Sequence, residues 1–190
     1  MTNENKTAEF NTPDTVFGDV QRNWGWLLAL GIVFVILGFI GLGMSFAVTM
    51  ASVLMFGVLL LIGAGAQFVD AAKRKGWESI IWHVLIALLY AVAGIAVIAD
   101  PLAASAILTL MLAATLIIVG LARGIIAFKM RAAKNWVWLL LGGLVSVILG
   151  VIIMAGWPVS GLWVIGLFVS IELMVNGWTY IFVALSARSA

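Results

Sequence analysis

The sequence contains no cysteine, one histidine and few charged residues, and each shortage excludes a class of function. Without cysteine, the chain has no disulfides, thiolate metal sites or cysteine nucleophiles. Since His83 is the only histidine, one chain cannot build a multi-histidine metal site. Charged residues make up 9% of the 190 residues, against about a quarter in soluble globular domains. With 65% hydrophobic residues, the chain cannot form a soluble surface and is predicted to lie in a membrane.

The sequence also lacks the motifs that usually mark enzymes. It contains no nucleotide-binding loop, no HExxH zinc motif, no GxSxG and no paired carboxylates. We therefore predict that the protein is not an enzyme and has no catalytic residues, no metal and no cofactor. The net charge is only +2, and the basic residues lie in short clusters between apolar runs. This pattern does not favour a nucleic-acid partner, because no basic face is formed.

Long segments without charge predict six membrane spans. An ionised side chain costs on the order of 3 kcal/mol at the centre of a bilayer, and about 20 residues cross it. The predicted spans are 24–44, 48–69, 79–99, 102–128, 136–155 and 159–184. The predicted fold class is therefore an all-α membrane protein with six transmembrane helices and a lipid bilayer as its surroundings.

Lysine and arginine occur only in alternate connections between the predicted spans. Residues 73–75 are Lys, Arg and Lys, and residues 129–134 contain two lysines and one arginine, whereas the other three connections contain neither residue type. The positive-inside rule then predicts that the N-terminus and the C-terminus both lie in the cytoplasm. Residues 1–23 are polar and are predicted to form a cytoplasmic N-terminal tail.

Two segments of the chain are close copies of each other. Residues 24–38 (WGWLLALGIVFVILG) and 136–150 (WVWLLLGGLVSVILG) are identical at ten of fifteen positions, and a more diverged copy begins near Trp82. The chain is therefore predicted to consist of three tandem two-helix repeats in one membrane domain. The predicted repeats are 24–76, 77–134 and 135–187. An even number of spans per repeat makes the repeats parallel.

Glycines recur at matching places in these repeats. Two glycines seven residues apart lie on one helix face, where small residues let neighbouring helix backbones approach closely in lipid. We predict helix packing as their main role, with a pore or a dimer contact as the alternatives. The glycines predicted to pack are Gly31, Gly38, Gly94, Gly120, Gly124, Gly143, Gly150 and Gly177. Gly65 is taken as the match of Gly120 and Gly177 in the first repeat.

Glu172 is the most informative polar residue, because it lies near the middle of the last span with no Lys or Arg within a turn. Ionisable groups inside a membrane are rare and usually mark function. Two interpretations stay open. Glu172 is either proton-responsive or a neutral carboxyl that hydrogen-bonds Ser146 or Thr115 purely for packing. Asn176, four residues later, is predicted to share its helix face.

Asp100 is a second candidate for a proton-responsive group, and Arg123, His83 and Asp70 are candidates for supporting polar or ionic roles. Asp100 either caps the helix that follows it or titrates at the outer surface. Arg123 either extends to the interface or pairs with Asp70 or Glu78. His83, near the start of the third span, is predicted to make an interfacial hydrogen bond.

The repeat pattern resembles that of the HdeD family of bacterial inner-membrane proteins, which are linked to acid resistance. The family's repeat has an interfacial Trp, glycines in the first helix, an outer Pro turn and a Gly in the return helix. The matching residues are Trp26, Gly31 and Gly38, then Trp82, Gly94, Pro101 and Gly120, then Trp138, Gly150, Pro158 and Gly177. The first repeat lacks the proline, and Ala87 stands where the other repeats have glycine. The resemblance implies a location in the bacterial cytoplasmic (inner) membrane and no catalytic residues.

Three functions remain as hypotheses. The first is a non-enzymatic inner-membrane protein of acid or envelope stress resistance that responds to protons through Glu172. The second is a small transporter or channel for protons or a small solute. The third is a structural or assembly protein that binds other membrane proteins. Besides the bilayer, the predicted partner is a second copy of the chain or another membrane protein.

Overall fold

The computed structural model describes residues 24–73, 76–131 and 135–189, which form six long α-helices and one short 3-10 helix. The α-helices are α1 (Trp24–Gly43), α2 (Ser45–Lys73), α3 (Trp77–Ala99), α4 (Pro101–Lys129), α5 (Trp136–Ala155) and α6 (Val164–Ser189). All six are long and apolar enough to cross a membrane. An α-helix satisfies its backbone hydrogen bonds internally, and this is required in a membrane because lipid tails offer no hydrogen-bond partners. The predicted all-α class with six spans is confirmed.

The last span begins later than predicted. The chain first forms a 3-10 helix at Val159–Leu162, and α6 starts at Val164 rather than at residue 159. Within this short helix the Ser160 hydroxyl donates a hydrogen bond to the Ile153 carbonyl, at 2.9 Å, which ties the turn to the end of α5. The predicted tail at residues 1–23 lies outside the described residues.

The chain divides into two compact units. One contains α1, Met44 and the part of α6 from Phe168 onward, and the other contains Ser45–Leu167. In the larger unit, α2 packs along α3 and α4 packs along α5. By contrast, α3 and α4 make few contacts, although only Asp100 separates them. Each packed pair therefore joins the second helix of one repeat to the first helix of the next.

The pair α4/α5 is held by two glycines that face each other. A Cβ added at Gly143 would lie 2.8 Å from the Gly120 carbonyl oxygen, and one added at Gly120 would lie 2.7 Å from the Gly143 carbonyl oxygen. Seven residues further along α5, a Cβ at Gly150 would lie 2.8 Å from the Ala113 carbonyl oxygen. The two backbones are thus in direct contact, which only small residues permit.

The pair α2/α3 uses the same spacing with one difference. A Cβ added at Gly94 would lie 3.0 Å from the Gly57 carbonyl oxygen, so this contact corresponds to that of Gly150 in α4/α5. The other contact of α4/α5, between Gly120 and Gly143, has alanines in its place in α2/α3. The corresponding residues there are Ala64 and Ala87. Both alanines are buried.

In the smaller unit, α1 packs against α6 in the same way. A Cβ added at Gly31 would lie 2.8 Å from the Gly177 carbonyl oxygen, and one at Gly177 would lie 2.7 Å from that of Gly31. A Cβ added at Gly38 would lie 2.9 Å from the Ser170 carbonyl oxygen. The first and last helices of the described chain are therefore partners, 146 residues apart at the Gly31–Gly177 contact.

Seven of the eight glycines predicted to pack lie directly against a neighbouring helix, and the eighth does not. Gly124 has open space where a side chain would stand, although its amide nitrogen lies 3.1 Å from a Cβ added at Gly143. The match assigned to Gly65 is wrong by one residue, because Gly65 is exposed and Ala64 takes the buried place. Neighbouring small residues make such a shift hard to detect in sequence.

Candidate functional site

Glu172 lies on α6, eight residues after its start, at a depth that the membrane's hydrocarbon would occupy. The face of α6 that contacts α1 contains Ser170, Met174 and Gly177. At 3.6 residues per turn, Glu172 lies about 200° around the helix from Ser170. The carboxyl therefore points away from the α1/α6 contact.

Glu172 and Asn176 are both exposed, and neither forms a hydrogen bond or ion pair with the described part of the chain. The prediction that they share a helix face is confirmed. The proposed partners are engaged within their own helices: Ser146 donates to the Gly142 carbonyl at 2.9 Å, and Thr115 to the Met111 carbonyl at 2.8 Å.

Few charged side chains accompany Glu172 in residues 24–44 and 168–189, the described part of its unit. Helix α1 has no ionisable residue. On α6, the other ionisable residues are Tyr180 and Arg188, about 12 and about 24 Å further along the helix axis at about 1.5 Å per residue. The Arg188 guanidinium lies over the Trp24 ring, 5.1 Å from its centroid. Among residues 24–44 and 168–189, no ionisable neighbour within two helical turns of Glu172 is therefore present to compensate a change in its charge.

Asp100 forms the predicted cap. Its Oδ1 accepts a hydrogen bond from the Ala103 amide at 3.0 Å, and Pro101 occupies the first position of α4. This arrangement satisfies one of the free amides at the helix start, and the proline has no amide to satisfy. The carboxyl remains exposed.

The other polar candidates do not come together into a site. His83 Nδ1 donates to the Ser79 carbonyl of its own helix at 2.8 Å, which agrees with the predicted hydrogen-bonding role. Arg123 is exposed, and no ion pair joins it to Asp70 or Glu78 in the described ranges. Across residues 24–73, 76–131 and 135–189, no three His, Asp or Glu side chains are grouped to hold a metal.

Sequence reasoning missed a set of buried hydroxyls in the larger unit. Thr49, Ser105 and Thr109 are fully buried, and Ser160 is nearly so. Thr49 Oγ1 accepts a hydrogen bond from the Gly166 amide at 2.8 Å and donates to the Ser45 carbonyl. Buried small hydroxyl residues in apolar helices indicate close contacts between helices. The spacing of these residues in the sequence could have indicated such contacts.

The chain was compared with protein families, curated proteins and solved structures. Residues 29–99 and 85–155 each match the family described as a short repeat of unknown function, DUF308. The chain belongs to this family. The two matches are offset by 56 residues, the same offset that relates Gly94 to Gly150. No curated protein and no solved structure matches the chain.

The matches show how the DUF308 repeat relates to the packed helices. The first match runs from within α1 to the end of α3 and contains the pair α2/α3 whole. The second runs from within α3 to the end of α5 and contains α4/α5 whole. Tandem repeats of this family are therefore present, and each match includes one pair of helices in backbone contact.

Proposed function

We propose that this DUF308 protein is a non-enzymatic protein of the bacterial cytoplasmic membrane, of the HdeD type, that supports resistance to acid or envelope stress. Glu172 is its proton-responsive group. Both termini lie in the cytoplasm, on the side of the lysine and arginine clusters. The family membership and the Trp, Gly and Pro pattern of the repeats support the HdeD assignment.

The observation that carries this proposal is the position of Glu172 on α6. A carboxylate in hydrocarbon is costly, whereas the protonated group is much less so. In its unit, α1 offers no ionisable side chain, and Tyr180 and Arg188 are two or more turns away on α6. Within the described part of this unit, proton binding therefore changes the polarity of an exposed patch without forming or breaking an ion pair.

The packing of α6 separates this patch from the contact with α1. Gly177 and Ser170 face α1, while Glu172 and Asn176 are exposed. A protonated Glu172 gains an O–H donor, and the Asn176 amide supplies both a donor and an acceptor beside it. The proton thus alters what the exposed face can bind, while α1 and α6 stay together.

The test is the recovery of cytoplasmic pH after an external acid shift. Cells lacking the protein are complemented with the wild type, Glu172→Gln or Glu78→Gln, each at an equal membrane level. Glu78, exposed in the first turn of α3, is the matched control carboxyl. We expect the wild type and Glu78→Gln to restore recovery and Glu172→Gln to recover no better than cells without the protein. Equal recovery with Glu172→Gln and the wild type would remove Glu172 from the mechanism, and equal recovery in all strains would remove the acid function.

A further inference from the structure

An apolar groove in the larger unit opens between α2, α3 and α4. It has a volume of about 460 Å³, and its walls include Phe56, Ala96, Val97, Ile107 and Met111. The groove exists because α3 and α4 diverge from their turn and make few contacts with each other. Alanines on the facing sides leave the space between the two helices open.

The length of the groove fits one leaflet of a bilayer. Along α4 its lining runs from Asp100, just before the helix, to Met111. Eleven residues at about 1.5 Å each span about 16 Å, close to half of the roughly 30 Å hydrocarbon core. One end therefore lies at the membrane surface and the other near the bilayer centre.

A single charged residue, Asp100, lines this groove, and it stands at the surface end. Its carboxyl accepts one amide hydrogen bond from Ala103 and stays exposed. The other two connections on this side of the membrane, at residue 44 and at 156–163, contain no lysine or arginine. The protein therefore supplies no basic side chain from these connections to balance Asp100.

From this juxtaposition we infer that the groove binds one acyl chain of a membrane phospholipid whose amine headgroup contacts the Asp100 carboxylate. The apolar walls match the chain, and the anionic rim matches an ammonium group. Phosphatidylethanolamine supplies both parts, whereas phosphatidylglycerol supplies the chain with an anionic headgroup that Asp100 repels. This inference does not depend on the acid-stress function or on Glu172.

The experiment is lipid titration of the purified, delipidated full-length protein, with bound lipid counted by native mass spectrometry. The two probes are phosphatidylethanolamine and phosphatidylglycerol with identical acyl chains. Asp100→Asn removes the charge and keeps a good helix cap. Ala96→Phe fills the groove. The matched controls are Glu78→Gln, an exposed carboxyl at the other end of α3, and Ala122→Phe, an exposed position on α4 outside the groove.

We expect the wild type and both controls to bind phosphatidylethanolamine more tightly than phosphatidylglycerol, by about fivefold, the ratio for about 1 kcal/mol. Asp100→Asn should bind the two lipids equally, and Ala96→Phe should lose the bound lipid of either kind. Ala93→Phe replaces Ala96→Phe if the latter loses helicity. No preference in the wild type, an unchanged preference in Asp100→Asn, or unchanged binding in both filled variants would each overturn the inference.

Discussion

The helix pairs α4/α5 and α2/α3 occupy corresponding places in successive repeats, yet they differ at one level of their contact. Gly120 and Gly143 bring two backbones together in α4/α5, whereas Ala64 and Ala87 stand at those places in α2/α3. At the second level both pairs have a glycine on the first helix of a repeat, Gly150 or Gly94. The same two helices of successive repeats therefore pack together in both pairs, while one of their two contacts is made by glycines in one pair and by alanines in the other.

The largest expected effect comes from a branched side chain at the closest contact. Gly143→Val places a Cβ only 2.8 Å from the Gly120 carbonyl oxygen, closer than van der Waals contact, so α4 and α5 must separate. We expect a loss of about 3 kcal/mol in the free energy of unfolding, the upper range for overpacking. Thermal and SDS-induced unfolding in mild detergent measure it.

The neighbouring Gly142 provides the control for that substitution. A Cβ at Gly142 meets nothing within 4 Å, so Gly142→Val carries the same change in helix propensity without the clash. Equal destabilisation by Gly142→Val and Gly143→Val would show that the backbone contact between α4 and α5 is not what stabilises the pair.

A smaller effect is expected when the glycines of the α4/α5 contact are replaced by the alanines found in α2/α3. Gly120→Ala and Gly143→Ala should each cost about 2 kcal/mol, because each new methyl meets a carbonyl oxygen. Once one methyl has moved the helices apart, the second has room. The double variant should therefore be less destabilised than the sum of the single variants by about 1 kcal/mol, measured by a double-mutant cycle.

The control cycle uses Gly124→Ala and Gly142→Ala, where added methyls meet nothing within 4 Å. These two substitutions should be additive. Additive effects at Gly120 and Gly143 as well would contradict the idea that the two glycines share one contact.

The smallest expected effect is in α2/α3. Ala87→Gly removes a fully buried methyl and should cost about 1 kcal/mol through helix propensity, plus a small packing loss. Ala93→Gly, at an exposed position of the same helix, measures the propensity part alone. If Ala87→Gly costs several times as much as Ala93→Gly, the alanine contact is as demanding as the glycine contact, and the contrast between the pairs is lost.

Much of the fold follows from the sequence because lipid imposes simple rules. Charge-free lengths gave the six spans, Asp100 before a proline gave a helix cap, and paired glycines gave the packed faces. The 3-10 helix at Val159–Leu162 escaped prediction because it depends on the hydroxyl contact of Ser160 with the end of α5.

Which helix each packed face contacts was harder to predict than the packed face itself. Glycine spacing identifies which side of α1 or α5 is close to another helix, but it does not say which helix is there. The direction in which the Glu172 side chain points could not be predicted either. Helix α6 is apolar on most of its circumference, so its sequence shows no clear polar face. Only the contacts of Ser170 and Gly177 with α1 show that the carboxyl is on the other side.

The central claim is that the first helix of each repeat packs on the second helix of another repeat, and cysteine cross-linking of α1 to α6 tests it most directly. The chain has no cysteine, so Gly38→Cys with Met174→Cys creates a single pair. A Cβ at Gly38 would touch the Met174 side chain, whereas Glu172 points away from α1. In membranes under mild oxidation, we predict an intramolecular disulfide for Gly38→Cys/Met174→Cys and free thiols for Gly38→Cys/Glu172→Cys, read by maleimide labelling. Free thiols in the first variant, or equal cross-linking in both, would contradict the account.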